Sequence, residues 1–157
     1  MKRALAGGFE LDDDRERVDG EAVHRFVSAS YWALGRSRAV MDELIRTASR
    51  VVGLYAADGR QVGFARVVSD EHTMSYLADV YVLPEHRGRG LGTELVRAAV
   101  DDGPYHDLLW LLLTRDAHRL YETVGFERPS ARLMWRPGAR TRGPRRPGDD
   151  RGDASLD

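Results

Sequence analysis

The sequence predicts a single α/β (α+β) domain with a mixed sheet flanked by helices. Its 157 residues suit one domain, and 42% of them are apolar, which is enough to build a core. The spacing of the apolar residues changes along the chain between the helical period and the strand period of two. The chain has no cysteine, which excludes a disulfide framework, thiolate metal ligands and a cysteine nucleophile.

The first part of the chain predicts one strand and two helices. Phe9 and Leu11 alternate with polar neighbours, so we expect a short opening strand there. Asp19 is a suitable N-cap for a first amphipathic helix, and after a break at Gly35 a second helix begins behind Ser37. Two consecutive helices should therefore precede the main strands.

Three strands are predicted next. Residues 51–56 alternate with period two, Asp58-Gly59 is a hairpin-turn signal, and residues 62–68 form the return strand. A further strand is expected over residues 73–83, ending at Pro84. The middle of the chain is thus predicted to supply most of the sheet.

The last part of the domain predicts two more helices and two more strands. Residues 91–99 have helical spacing, and the continuous apolar run 108–113 favours a central strand covered on both faces. Asp116 can cap a last short helix that ends with Gly125 at the C′ position. A weak final strand is expected over residues 132–136.

We expect the domain to span residues 8–136, between an N-terminal extension (1–7) and a disordered tail (137–157). The tail holds three prolines, four glycines, five arginines and four aspartates, and it cannot bury enough apolar surface to offset its ordering entropy. The aspartates dilute its positive charge, so no nucleic-acid partner is expected. No apolar run approaches the length of a membrane span, so we expect no membrane partner and a cytoplasmic location.

The segment between the fourth strand and the following helix carries the clearest functional signal. Gly88, Gly90 and Gly92 allow positive φ angles and convergent N–H groups, and the start of the helix adds partial positive charge. Arg87 and Arg89 add fixed charge at the rim. This combination favours an anion site for a pyrophosphate, although a flexible turn that leads into a helix would have the same composition.

The spacing of these glycines excludes two common phosphate-binding loops. A Walker A loop needs a lysine that this segment lacks. A dinucleotide-binding loop needs Gly-x-Gly-x-x-Gly in an opening β-α-β unit, whereas this loop lies in mid-domain. What remains is an Arg-x-x-Gly-x-Gly loop formed by Arg87, Gly90 and Gly92.

That loop, together with the segment DAHRLYETVGF at 116–126, resembles the GCN5-related N-acetyltransferase (GNAT) family. The resemblance covers about residues 9–136, and the segment YWALGRS at 31–37 is similar to a group of small bacterial members. It implies a mostly antiparallel sheet whose central strands splay apart to hold acetyl-CoA as co-substrate, with no metal. The coenzyme-binding residues that it implies are Val80, Tyr81, Val82, Arg87, Gly88, Arg89, Gly90, Leu91, Gly92 and Thr93.

The resemblance also implies how the reaction proceeds. An acetyl group would pass to a primary amine by direct attack in a ternary complex, since no cysteine can carry it. Tyr121 would be the general acid for the departing thiolate, although its spacing alone also fits a core tyrosine. Asp79 is the candidate base or ammonium anchor if a bulge re-aims it, and otherwise a structural hydrogen-bond acceptor; a chain of waters is the other candidate base.

Tyr31, Trp32 and Arg36 lie where the family walls its acceptor pocket, and core packing or surface charge would explain them equally well. The acceptor is left open by the sequence: antibiotic, polyamine, amino acid and protein amine all fit, in small-molecule or peptide form. The alternative function is a non-catalytic module that binds and senses acyl-CoA. A homodimer is also compatible with the sequence.

Overall fold

The computed structural model describes residues 1–128 and 133–134. Residues Met1–Glu127 form one packed unit, which contains every helix and strand described. Of the second unit, Arg128–Asp157, only residues 128, 133 and 134 are described, and they lie outside helices and strands. Most of the expected strand 132–136 and the whole expected tail 137–157 therefore lie outside the described residues.

Six strands form one mixed sheet in chain order, and helices flank it. Each of the first four strands pairs antiparallel with the next, and the fifth pairs parallel with the sixth. The strands are β1 (Lys2–Ala4), β2 (Glu10–Asp12), β3 (Arg50–Tyr55), β4 (Gln61–Ser69), β5 (Met74–Val82) and β6 (Leu109–Leu111). The α-helices are α1 (Gly20–Ser28), α2 (Arg38–Thr47), α3 (Leu91–Val100) and α4 (His118–Glu122).

The first two helices begin where their capping residues predict. The Asp19 carboxylate accepts hydrogen bonds from the N–H groups of Glu21 and Ala22, both at 3.0 Å, and the Ser37 hydroxyl accepts one from Val40 at 3.3 Å. Each cap satisfies N–H groups that have no acceptor inside the helix. Both predicted helix starts are confirmed.

The sheet carries a different apolar layer on each face. One layer joins the sheet to α3 and contains Leu54, Val67, Leu91 and Leu95, and the other joins it to α1 and α2. The second layer contains Val23, Val27, Met41, Phe64 and Tyr81. The predicted α/β class is confirmed, and α1 and α3 are held on opposite faces of β5.

The apolar run 108–113 forms a shorter and more exposed strand than predicted. Only Leu109–Leu111 are in β6, which is the edge strand among the described residues, and the Leu109 side chain is 62% exposed. The prediction of a strand covered on both faces is therefore wrong for this part of the chain. The parallel pairing ends at Tyr76 and Leu111 because β5 and β6 diverge beyond that point.

Residues 1–7, which we expected to be an extension, contain strand β1. Arg3 pairs with Leu11 of β2, and its guanidinium binds Asp102 at 2.8 Å and Glu94 at 3.1 Å. The sequence does not predict this strand, because β1 contains charged residues and lacks the alternation of apolar and polar residues that indicates a strand. Such charges are typical of edge strands.

The buried phenol of Tyr55 provides a test of the core. Its hydroxyl has no hydrogen-bond partner among the described residues, and burial raises its pKa from 10 to about 12. At pH 7 we expect Tyr55→Phe to leave the free energy of unfolding unchanged or higher, because it removes an unpaired buried hydroxyl. Urea titrations of both proteins measure this difference, and a loss above about 1 kcal/mol in the variant would contradict it.

The same pair of proteins should differ at high pH. Because the folded pKa lies above the unfolded one, the contribution of Tyr55 is complete below pH 10 and is lost as pH rises through 12. The wild type should lose about 2 kcal/mol more than Tyr55→Phe between these pH values.

Candidate functional site

A cleft opens where β5 and β6 diverge. The two strands pair only over Met74–Tyr76, so the edge of β5 from residue 77 onward has no strand partner among the described residues. The cleft has a volume of about 480 Å³. It is lined by Phe26, Trp32, Val80, Tyr81, Val82, Arg87, Gly88, Gly90, Leu91, Gly92, Thr93, Asp116, Ala117, Leu120 and Tyr121.

One end of the cleft is an open cradle of backbone N–H groups. Gly88 and Gly90 have φ angles of 74° and 75°, and nothing lies within 4 Å of where a Cβ would stand on either residue. Gly90 is the N-cap of α3, whose first N–H groups have no acceptor within the helix. An open group of N–H donors of this kind favours an anion such as a pyrophosphate, and its occupancy stays a prediction.

The two arginines of this loop have different roles. Arg87 lines the cleft, and its Nε donates to the Val82 carbonyl at 2.9 Å, which holds the guanidinium against the end of β5. Arg89 is exposed and is not among the residues that line the cleft. Nine of the ten predicted coenzyme-binding residues are thus brought together, and Arg89 is the exception.

The third glycine of the loop faces the helix that follows the cleft. A Cβ on Gly92 would lie 2.8 Å from Cδ1 of Leu120 in α4, so a side chain there would force the end of the Leu120 side chain to shift. The start of α3 thus packs against α4. The anion cradle and the helix that carries Tyr121 therefore lie side by side.

Tyr121 lines the cleft and packs edge-to-face on Phe126, with ring centroids 5.9 Å apart. No described residue makes a hydrogen bond with its hydroxyl. Burial is the main cause that raises its pKa to about 12, and the nearby Asp116 adds to the shift. Gly125, with φ 84°, and Phe126 donate to the carbonyls of Glu122 and Tyr121, which is the predicted glycine-dependent end of the helix.

Asp79 sits in the bulge that its predicted role required. The β4–β5 register passes from Phe64 opposite Tyr81 to Arg66 opposite Ala78, and Asp79 has a φ of 52°. Its side chain is only 2% exposed. Positive φ is rare for residues other than glycine, and aspartate tolerates it better than most.

Both oxygens of the Asp79 carboxylate are engaged. Oδ1 accepts from Nη1 of Arg36 and Oδ2 accepts from Nε of Arg66, each at 2.8 Å. The side chain is almost fully buried and each oxygen is held by a guanidinium, so an amine in the cleft has little access to it, which disfavours the expected role as a base. The sequence analysis missed Arg66, although a lone arginine within the apolar strand β4 was a signal that it has a buried partner.

The segment between α1 and α2 reaches the opposite side of the cleft. Trp32 lines the cleft, whereas the Tyr31 hydroxyl donates to Asp116 at 3.4 Å and accepts from the Arg115 N–H at 3.0 Å. The Arg115 guanidinium also lies over the Tyr31 ring, 3.9 Å from its centroid. Of the three predicted acceptor residues, Trp32 faces the cleft, Tyr31 bridges its rims, and Arg36 binds Asp79.

Asp116 does not cap α4, so that prediction is wrong. The N-cap is Ala117, whose N–H donates to the Thr114 hydroxyl at 3.2 Å, because the Asp116 side chain reaches toward Tyr31 instead. Asp116 is exposed and is the only carboxylate among the described residues that line the cleft. Phe26 of α1, which the sequence analysis did not single out, stacks on Tyr81 with ring centroids 4.1 Å apart and also lines the cleft.

The described parts of the chain show neither a metal-binding cluster nor a membrane-spanning helix. Within residues 1–128 and 133–134, no group of three histidine or acidic side chains is placed to hold a metal ion. No helix in these ranges has the length and apolar character needed to cross a membrane.

Comparison with known proteins gives matches of two kinds. A family model described as an acetyltransferase (GNAT) domain matches residues 49–128. A solved GNAT-family protein from Xanthomonas campestris pv. campestris is 38% identical to this chain, with a TM-score of 0.76. That match covers 83% of this chain and 93% of the other.

Curated relatives match over shorter stretches. A Gibberella zeae protein named as an acetyltransferase is 36% identical over 70 residues, which is 43% of this chain and 40% of that protein. The mycothiol acetyltransferase of Segniliparus rotundus is 36% identical over 74 residues, which is 45% of this chain and 28% of that protein. The chain thus spans less than half the length of these relatives. The family match over half of the chain, with the solved relative that shares its fold and sequence, shows that this chain belongs to the GNAT acetyltransferase family.

Proposed function

We propose that this protein is an acetyl-CoA-dependent N-acetyltransferase that moves an acetyl group to a primary amine by direct attack in a ternary complex. One observation carries the proposal: a single cleft joins an anion cradle at Gly88–Thr93 to the hydroxyl of Tyr121 along the open edge of β5. A diphosphate-bearing thioester needs such a combination of anion site, extended groove and proton donor. A cytoplasmic location and a homodimer stay predictions from the sequence.

The open edge of β5 supports the proposed position of the coenzyme. The Leu83 N–H donates to the Val62 carbonyl at 2.8 Å, so Leu83 points its backbone groups toward β4. Because backbone directions alternate along a strand, the groups of Val82 and Val80 face the open side. We propose that the Val82 N–H and the backbone groups of Val80 pair with the amides of the pantetheine arm, while the N–H groups of Gly88–Thr93 and Arg87 hold the diphosphate.

Bound acetyl-CoA would supply the activated acyl group, and the residues of this chain would manage two protons. An alkylamine has a pKa of about 10 and must lose a proton before it attacks at neutral pH. Since both oxygens of Asp79 are engaged, we propose that water takes this proton and that Asp79 is a positioning residue. It holds the bulge next to Val80, where a backbone N–H can stabilise negative charge on the acetyl oxygen.

Tyr121 is the proposed donor of the second proton, to the departing sulfur. With a pKa of about 12, its hydroxyl stays protonated across the pH range in which the free amine becomes abundant. Its position on the wall of the cleft, with no described hydrogen-bond partner, leaves the proton available.

The direct test is thiol release from acetyl-CoA against a library of amines, with the acetylated product identified by mass spectrometry. Release that depends on an amine would establish the activity. Binding of acetyl-CoA without transfer to any amine would instead identify an acyl-CoA-sensing module and overturn the proposal.

Removing the Tyr121 hydroxyl should slow the chemical step. In Tyr121→Phe we expect kcat to fall about 100-fold or more, with little change in the KM for acetyl-CoA, because a general acid acts in the transition state. In the wild type the rate should rise with pH as the amine deprotonates, with no decline from Tyr121 ionisation until pH approaches 12. Full turnover of the variant at every pH would rule out the role.

Tyr105→Phe is the matched control for this substitution. Tyr105 is also buried, but its hydroxyl donates to Glu71 and it does not line the cleft. Its kcat should therefore stay within about threefold of the wild type.

A side chain at Gly90 should weaken coenzyme binding. Gly90→Ala forces an L-residue into positive φ and places a methyl group in the open cradle, so we expect the KM for acetyl-CoA to rise at least about tenfold. Steady-state kinetics at saturating amine measure this change.

Gly59→Ala separates this effect from backbone strain. Gly59 lies in the β3–β4 turn at φ 81°, with equally open surroundings and outside the cleft. Both variants should lose about 1 kcal/mol of stability, but only Gly90→Ala should change the KM. Equal KM values in the two variants would count against the pyrophosphate site.

A further inference from the structure

Two arginines share one carboxylate beside the cleft. Arg36 and Arg66 each hold one oxygen of Asp79, and these three side chains are called the Arg36–Asp79–Arg66 cluster. The side chains of Asp79 and Arg66 are 2% and 9% exposed, and that of Arg36 is 21% exposed. Among the described residues no other acid pairs with either arginine, so the cluster carries one positive charge in excess.

Both guanidinium groups keep donors that no described residue uses. Arg66 donates only through Nε, and Arg36 only through Nη1, which also contacts the Met41 sulfur at 3.8 Å. A guanidinium has five N–H donors in a fixed fork, so each arginine has donors beyond those that Asp79 occupies. The Arg36 side chain is 21% exposed, so part of it contacts solvent.

The cluster lies close to the reacting end of the cleft. Asp79 directly precedes Val80, which lines the cleft, and Arg36 belongs to the segment that places Trp32 there. Tyr76 lies near enough to both Asp79 and Arg66 for their charges to affect its pKa, and it in turn affects that of Tyr121. Tyr76 is thus coupled electrostatically both to the cluster and to the proposed acid.

The other charged residues at the reacting end of the cleft do not cancel the excess positive charge of the cluster. Arg115 and Asp116 stand on the facing segment and have opposite signs, and both contact Tyr31. Asp116 is the one carboxylate among the described residues that line the cleft, so it offers a place for an ammonium group near Tyr121. A positive excess on one side and a carboxylate on the other favour a ligand that has both charges.

We infer that the acceptor is an amine with an anionic group, carboxylate or phosphate, which binds the unused donors of Arg36 and Arg66. This inference rests on the proposed function and names its substrate class. Guanidinium binds both groups in bidentate fashion, and such charge-assisted pairs are strongest where water is partly excluded. Polyamines and other purely cationic acceptors would meet uncompensated like charge at this cluster.

The test compares acceptors that differ only in this charge. Amino acids of increasing length, from glycine to 4-aminobutanoate and including α-amino acids, are each assayed beside their primary amides, and O-phosphoethanolamine beside ethanolamine. Rates are compared at equal concentrations of free amine. We expect kcat/KM to be at least about tenfold higher for the best anionic acceptor than for its neutral partner.

Variants of Arg36 connect this preference to the cluster. Arg36→Gln leaves the neutral Asp79–Arg66 pair, so the preference should fall to within about threefold of unity, whereas Arg36→Lys should keep part of it. Arg38→Gln is the matched control, because Arg38 pairs with the exposed Asp42 outside the cleft. It should keep the full preference.

Three further measurements separate a loss of anion binding from a folding defect. Thermal melts show whether Arg36→Gln is folded, and in the wild type an increase of salt from about 0.05 to about 0.5 M should raise the KM of anionic acceptors only. Quenching of tryptophan fluorescence by the acids, without acetyl-CoA, gives an independent measure of binding.

The outcomes separate this inference from the proposed function. If no amine stimulated thiol release from acetyl-CoA, both the proposed function and this inference would be overturned. Equal rates for acids and amides, with release otherwise normal, would overturn the anionic acceptor and leave the N-acetyltransferase intact. A preference for the carboxylate or for the phosphate series would each support the inference and identify the group.

Discussion

The divergence of β5 from β6 is the constraint on which the rest of the molecule depends. A sheet normally satisfies the backbone groups of its inner strands, and leaving them unpaired within a domain is costly. Here the parallel pairing stops after Tyr76 and Leu111, and the next residues of β5 have no strand beside them among the described residues. Such an edge can be satisfied by water or by an extended ligand that takes the place of a strand. The cleft is thus a gap in the sheet, with the unpaired backbone of β5 along one side.

The bulge at Asp79 shapes the part of β5 that borders this gap. A non-glycine residue with positive φ costs about 1 kcal/mol, and a buried carboxylate costs more unless it is fully paired. The guanidinium groups of Arg36 and Arg66 provide that pairing from two different elements, the α1–α2 segment and β4. The same contacts therefore stabilise an unfavourable backbone and tie the α1–α2 segment to the sheet. Buried ion pairs of this kind favour one arrangement over others more than they add stability.

Local rules predicted much of the fold and about half of the site. Asp19, Ser37 and Gly125 make their hydrogen bonds to residues two or three positions away, so their roles can be deduced from the sequence alone. The glycine loop is local in the same way. Arg66 and Asp116 depend on partners far away in sequence, and no spacing rule links them to Asp79 or Tyr31. The short length and the exposure of β6 were missed for a related reason, since an apolar run predicts a strand but does not reveal where its neighbour in the sheet diverges from it.

The contact between Gly92 and Leu120 has a consequence for how the sequence can vary. A side chain at position 92 would meet the Cδ1 methyl of Leu120, so the end of that side chain would have to move to make room. Leu120 directly precedes Tyr121, so this rearrangement would take place next to the phenol proposed to face the coenzyme sulfur. A side chain at position 92 is therefore best accommodated together with a smaller residue at position 120.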